Sequence, residues 1–330
     1  MGQMKKAKIV SVLAGILILG LFLFLRSGKK EYSRQSLYFD TVISVSFFAG
    51  SNGEELMDHC MDMCAEFQNI FSRTDENSEL YGVNHRNSDR VKVSHEIREL
   101  VEKGLEYYDL SGGKFDITIA PLSDLWDFKS EDAGVPDEKD IYAALEKVGA
   151  DRVHIDGEEL VFDRTDTMID LGALVKGYAA DRMKEYLVSQ GVTSGLINLG
   201  GNVLTIGSKP DGTKWKIGIQ KPFASHDQTA DVVSVEDRTV VSSGIYERYF
   251  EQDGRIYHHI LDPDTGYPVE NDIEGISVIC DSSLEGDAMS TTCLLLGISG
   301  TEAFLNAREG VEGILITRES EIIYAGEHNE

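Results

Sequence analysis

Strand-like and helix-like stretches follow one another in this chain without a regular β-α-β order. That pattern predicts an α+β fold rather than a doubly wound one. Two further observations support a large packed domain. Hydrophobic residues make up 42 % of 330 positions, enough for a sizeable core in one large domain or two ordinary ones. No internal repeat or low-complexity linker breaks the pattern.

The elements read in order as follows. The N-terminus carries an uncharged 17-residue run from Ile9 to Leu25, between basic "MGQMKKAK" and "RSGKK". A bilayer-spanning helix needs roughly 17–25 apolar residues, so the run just suffices. No small-residue cleavage site follows it and it holds no Cys, which predicts an uncleaved signal-anchor. Lysines and arginines lie on both sides of the span, so loop charge does not fix its orientation. Residues 1–30 are read as the anchor and 31–330 as the domain. "YFDTVISVSFFAG" (38–50) alternates as a strand does. "EELMDHCMDMCAEFQNIFS" (54–72) places Leu56, Cys60, Met63, Phe67 and Ile70 near one helical face. Residues 94–113 start at a capping Ser94 and stop at Gly112-Gly113. Short helices are predicted at 139–149 and 286–297, and a longer one over 174–191 ending at Gly191. Strand pairs are predicted at 152–163, at 194–207 pinched by Gly200-Gly201, and at 313–326. Further strands lie in 214–222, 239–263 and 275–280.

Composition narrows the function. A net charge of −26 argues against a nucleic-acid surface, which needs basic patches, and against wide contact with anionic lipid. Of the four cysteines, Cys60 and Cys64 sit four apart on a helix beside His59. No CxxC pair supports zinc, and they read as buried small hydrophobes.

Four constellations could carry chemistry. In "HHILDPDTGYP" (258–268) two imidazoles precede a Pro-braced turn. They could be metal ligands, an acid/base pair, or one working His and one bystander. Asp287 and Thr291 share a helical face and offer two hard oxygens suited to Mg²⁺, or an N-cap and a neighbour. In "IDLGALVKGYAADRM" (169–183) Asp170 ends a strand and Lys176 stands in a first helical turn. This is either a phosphate site or an ordinary junction. In "SGGKFDITIAPLSDLWDF" (111–128) Phe115 and Asp116 could hold a heterocycle, or be a buried Phe and a turn Asp. The usual nucleotide fingerprints, GxGxxG and GxxxxGK[ST], are missing.

Eight segments together resemble the flavin transferases of the ApbE type, the FAD:protein FMN transferases. They are "FDTVISV", "SRTDENSELYGVN", "GGKFDITIAPLSDLWDF", "DLGALVKGYAADRM", "INLGGNV", "VSSGIYERYF", "HHILDPDTGYPV" and "GDAMSTTCLLLG". They occur in the family's order from about residue 36 to 325. Phe39-Asp40-Thr41 stands where the family often has Met-Gly-Thr, Thr74 where an aromatic is often seen, and Ser242-Ser243-Gly244 where many relatives have Thr-Ser-Gly.

The resemblance implies a single α+β domain with a tunnelling-fold-like core and a flavin cleft. It implies that FAD is split at its pyrophosphate, that FMN is joined by a phosphoester to a Thr or Ser of a target protein, and that AMP leaves. It places Mg²⁺ on Asp287, Thr291 and the backbone carbonyl of Ala173. It places FAD near Lys114, Phe115, Asp116, Asp170, Lys176 and Leu261, with Phe39 and Thr74 where the flavin would sit. It makes His259 the base and His258 the bystander. An imidazole, with an unperturbed pKa of about 6.5, suits that work. The resemblance also implies a site of action outside the cytoplasmic membrane. The implied partners are FMN-accepting subunits of membrane redox complexes, such as sodium-pumping NADH:quinone reductases, or other exported FMN-domain proteins. FAD pyrophosphatase activity, with water as acceptor, and non-enzymatic FAD binding are the alternatives that the same residues allow.

Overall fold

An eight-stranded antiparallel sheet forms the centre of the computed structural model, which describes residues 28–225 and 228–327. The span expected at residues 9 to 25 lies outside the described residues. The strands are β1 (Lys30–Tyr38), β2 (Thr41–Ala49), β3 (Arg90–Lys92), β4 (Val153–Asp156), β5 (Glu159–Phe162), β6 (Gly195–Leu199), β7 (Asn202–Ile206), β8 (Trp215–Gln220), β9 (Thr229–Val235), β10 (Thr239–Gly244), β11 (Tyr249–Gln252), β12 (Arg255–His258), β13 (Ile273–Cys280), β14 (Glu312–Thr317) and β15 (Ile322–Gly326). The helices are α1 (Gly53–Phe71), α2 (Glu79–Asn84), α3 (His95–Leu110), α4 (Ala120–Trp126), α5 (Glu138–Leu145), α6 (Val175–Ser189) and α7 (Ser283–Asn306). The main sheet runs β1-β2-β6-β7-β10-β13-β14-β15, and the β3-β5-β4, β8-β9 and β11-β12 sheets surround it.

The central strands read as nearly unbroken apolar runs because both of their faces are covered. Val278 and Leu315 belong to the main core, which also holds Leu56 and Phe67 of α1, Met183 of α6 and Leu294 of α7. Their neighbours Ile279, Ile314 and Ile316 pack with Ile217, Ile219 and Val235 of the β8-β9 hairpin. A third cluster, around Trp126, Leu122, Ile141 and Leu261, lies under the chain that follows β12. Cys60 and Cys64 are buried free thiols, pushed up to about 12 by burial, and so act as core hydrophobes.

Several elements differ from the sequence reading. The stretch read as one strand from residue 38 splits at a two-residue turn. Phe39 and Asp40 take φ 54° and 57°, and Tyr38 pairs with Thr41. That left-handed geometry is the hairpin type that favours Gly or Asp, which accounts for the Gly in the family pattern at position 40. The helix read over 286–297 begins at Ser283, leaves helical geometry at Gly297 (φ 69°, ψ −178°) and resumes to Asn306. By length and composition α7 could cross a bilayer, but 56 % of its most apolar window is buried in the domain. β1, β3, β9, α2 and α4 were not anticipated.

Two devices lock α6 to α7. A side chain at Gly177 would meet the Ser283 carbonyl oxygen at 2.3 Å, so the backbones touch there. Asp181 of α6 accepts bonds from the Ser283 N–H at 2.9 Å and the Leu284 N–H at 3.0 Å. It thereby caps α7, where free N–H groups favour an anion.

Candidate active site

A cavity of about 1260 Å³ gathers nearly all the residues singled out above. Phe39, Thr74, Lys114, Phe115, Asp116, Asp170, Ala173, Lys176, His259, Leu261 and Thr291 line it. Asp287 lies behind the wall, 4 % exposed.

His259 is held from two sides of its own residue. The Arg248 carbonyl oxygen accepts from the His259 backbone N–H at 3.1 Å and lies 3.2 Å from Nδ1. A carbonyl only accepts, so Nδ1 carries the hydrogen and Nε2 keeps its lone pair. Burial lowers the ring's pKa from 6.5 to about 3, helped by the positive charge of Arg248 and by His258. The imidazole is therefore neutral at pH 7. His258 has a different role. It is buried, its Nε2 donates to the Val269 carbonyl at 3.2 Å, and its Nδ1 has no hydrogen-bond partner among the described residues.

The turn after His259 is braced from several directions. Asp262 N–H donates to Tyr267 O and Gly266 N–H to Asp262 O, both at 2.8 Å. The indole N–H of Trp126 donates to the Gly266 carbonyl at 2.8 Å. Gly266 has φ +74°, and an added Cβ would lie 2.7 Å from Ile141. Lys114 Nζ sits 3.0 Å from Asp262 Oδ1 and 2.7 Å from Asp264 Oδ2, tying the turn to the 111–128 segment.

The acidic residues of the cavity are likewise engaged with the chain. Asp116 accepts from Thr118 N–H and Oγ1 at 2.7 and 2.6 Å and from Ala150 N–H at 3.1 Å. Burial raises its pKa, and these bonds oppose the rise. Asp170 accepts from Gly172 N–H at 2.8 Å and pairs with Arg73 Nε at 3.0 Å. Lys176, the second residue of α6, has no ion-pair partner among the described residues.

Asp287 occupies the fifth position of α7, one turn before Thr291. Gly177 N–H donates to its Oδ2 at 2.5 Å, and Asn202 Nδ2 donates to its Oδ1 at 3.0 Å. Ser283 in turn donates to Asn202 Oδ1 at 2.5 Å. Burial raises the Asp287 pKa, and the Lys176 charge opposes this. No ion-pair partner reaches the carboxylate among the described residues, and a buried carboxylate without a counter-charge is costly. Among the described residues no three His, Cys, Asp or Glu side chains converge. A cation here would have to take mixed oxygens, and carboxylate, hydroxyl and backbone carbonyl are donors that fit Mg²⁺.

The ApbE family matches residues 39–315. This chain belongs to the ApbE family. It is 33 % identical over 300 residues to the FAD:protein FMN transferase of Klebsiella pneumoniae (strain 342), covering 90 % of this chain and 92 % of that one. The FAD:protein FMN transferase of Treponema pallidum (strain Nichols) is 31 % identical over 310 residues, 88 % of this chain and 86 % of its own. The crystal structure of the ApbE protein from Thermotoga maritima superposes with a TM-score of 0.82 at 28 % identity, covering 90 % and 97 % of the two chains. The apo flavinyl transferase ApbE of Pseudomonas stutzeri gives 0.79 at 28 % identity, covering 90 % and 94 %. The α+β architecture is that of these ApbE structures.

In this ApbE chain the sequence reading missed two cavity residues, Arg73 and Arg248, and the buried Asn202. Arg73 bridges Asp170 and Asp124, Arg248 supplies the carbonyl for His259, and Asn202 orients Asp287. All three stand in or beside the matching segments, but nothing in residue type distinguishes a carbonyl that binds a base from any other.

Proposed function

We propose that this chain is a Mg²⁺-dependent FAD:protein FMN transferase. The observation that supports it most is the placement of His259, which lines the same cavity as Thr291, Ala173 and Lys176 and whose Nδ1 is engaged by the Arg248 carbonyl, leaving Nε2 as the acceptor. His259 takes the proton of an acceptor Thr or Ser hydroxyl through Nε2. The hydroxyl oxygen forms a bond to the phosphorus of the FMN half of FAD, and the bond from that phosphorus to the AMP half breaks. AMP leaves with the electron pair. Lys176, which lines the same cavity, would offset the pyrophosphate charge. Asp287, Thr291 and the Ala173 carbonyl would hold Mg²⁺, which when bound neutralises phosphate charge and polarises the phosphorus. A pKa of about 3 makes a weak base. Bound FAD brings negative charge close to Arg248 and Lys176, two of the cations that depress the imidazole. Its arrival therefore raises the proton affinity of His259 when the base is needed.

We further infer that residues 9–25 stay attached as a single membrane span, with the domain from residue 31 on the extracytoplasmic side. Its targets are then FMN-accepting subunits of membrane redox complexes or other exported FMN-domain proteins. The apolar run and its basic flanks support the span. N-terminal sequencing of mature protein checks it, and a start near residue 30 overturns it.

The activity test incubates the full chain with FAD, Mg²⁺ and an exported FMN-domain protein. The expected result is a covalent FMN mass increment and AMP release much faster than with FAD alone. Replacing the acceptor Thr by Ala should return the slow rate. Water is present at about 55 M, so only placement of the protein hydroxyl, worth effective molarities of about 10⁵ M or more, lets transfer win. AMP release equally fast with and without acceptor overturns transfer in favour of hydrolysis. FAD binding without any AMP overturns both.

A further inference from the structure

Part of the cavity wall has no place in the functional reading. Phe223, Tyr246 and Tyr249 meet there edge to face. Phe223 lies 5.2 Å from Tyr249 at 82° and 6.0 Å from Tyr246 at 64°. Tyr246 is seated by the glycine of the Ser242-Ser243-Gly244 stretch, because a Cβ at Gly244 would fall 2.1 Å from its ring. Phe223 and Tyr249 remain 39 % and 44 % exposed, although both are large and apolar.

The backbone of Phe223 adds an independent sign. Among the described residues, seven other than Gly have positive φ, and five of those are Asp or Ser, which tolerate it. The other two are Phe39 and Phe223, and both line this cavity. A bulky residue in the left-handed region is strained, and such strain clusters at ligand contacts.

The cluster adjoins the base. Tyr249 follows Arg248, whose carbonyl holds His259, and Tyr249 pairs with His258 across β11-β12. A hydroxyl must come within hydrogen-bond reach of His259 Nε2 to lose its proton there. In the transferase reading a protein acceptor shares the cavity that these rings line. The cavity has room for it, since 1260 Å³ exceeds the roughly 300–1000 Å³ typical of a small-molecule site. Perpendicular rings form a corner that suits a compact apolar side chain. None of the residues expected to hold FAD belongs to the cluster.

We propose that Phe223, Tyr246 and Tyr249 form the acceptor subsite, taking an apolar side chain of the protein segment that carries the reacting Thr or Ser. This rests on the transferase reading. The test uses full-length enzyme with Phe223→Gly, Tyr249→Ala or Tyr249→Phe, and the same exported FMN-domain protein as acceptor. Glycine keeps the left-handed backbone while removing the ring. Phe223→Gly and Tyr249→Ala should each raise the acceptor KM about tenfold or more, as loss of an aromatic anchor does. FAD Kd and acceptor-free AMP release should stay within about twofold, which also shows that the variants are folded. Tyr249→Phe should match wild type. Unchanged acceptor kinetics in both ring-deleted variants overturn the subsite. An FAD Kd weakened as much as the acceptor KM overturns it too, by assigning the rings to FAD. Wild-type enzyme that transfers no FMN overturns the functional reading, and this inference with it.

Discussion

Replacing His258 by Gln should remove a defined acid sensitivity of the fold. His258 is 4 % exposed, and burial lowers its pKa from 6.5 to about 4, with the Val269 carbonyl bond opposing and Arg318 adding to the effect. In the unfolded chain the ring binds a proton near pH 6.5, and in the folded chain only near pH 4. Between these values the unfolded state holds more protons, so stability falls as the pH falls. At about 1.4 kcal/mol per factor of ten in proton affinity, the loss is about 2 kcal/mol at pH 5 and about 3 kcal/mol below pH 4. Gln is neutral throughout and keeps an N–H for the Val269 carbonyl. Urea unfolding at pH 7.5 and pH 5, followed by tryptophan fluorescence, measures both proteins. The buried carboxylates with raised pKa, Asp116 and Asp287, shift stability in the opposite direction. They are common to both proteins, so the difference between wild type and variant isolates His258. An equal loss in the two proteins between pH 7.5 and pH 5 would refute the assignment of a buried neutral imidazole.

Further outcomes concern the site. His259→Ala should cut FMN transfer by about 10²–10⁴, the range of a lost general base, with FAD binding roughly intact. His258→Gln should cost far less in transfer rate, and the reverse order would show that the wrong imidazole was chosen. Asp287→Ala should abolish Mg²⁺-dependent turnover and Mg²⁺ binding by calorimetry, whereas Thr291→Ala should be milder because water can replace a neutral ligand; full Mg²⁺-dependent activity in Asp287→Ala ends that assignment. Lys114→Met should free the turn after His259 and lower kcat by about tenfold while leaving FAD Kd nearly unchanged. A weaker FAD Kd with normal kcat would instead make Lys114 an FAD contact.

Local pattern carried much of the fold. α1 was legible because its apolar residues repeat at helical spacing, and α3 and α6 because their ends carry a capping Ser94 or the glycines Gly112, Gly113 and Gly191; the reading stopped α7 at Gly297, where the chain leaves helical geometry before resuming to Asn306. β1 escaped because "KEYSRQSLY" is mostly polar, so its burial alternates in the fold without an alternation of apolar residues in the sequence. α4 is two turns long, with Pro121 at its start. The turn at Phe39-Asp40 was absorbed into a strand because an aromatic in left-handed geometry gives no turn signal. None of the long-range pairings, β2 with β6 or β7 with β10, can be read from local periodicity.

The site divides along a different line. Residue type marked the candidates, but what holds each of them in place lies distant in sequence. Asp287 takes its bonds from Gly177 and Asn202, 110 and 85 positions away. Lys114, a cation that would suit a phosphate, is held by Asp262 and Asp264, 148 and 150 positions on. Asp116 and Asp170 likewise accept bonds from their own loops and from Arg73. Lys176, by contrast, reaches the cavity without an ion-pair partner among the described residues, and His259 keeps one nitrogen unengaged because Arg248 binds the other. In the proposed transferase reading, Lys176 and the Nε2 of His259 are therefore groups with no ion-pair or hydrogen-bond partner among the described residues, and Asp287, with two of its acceptor positions filled, keeps others for a cation.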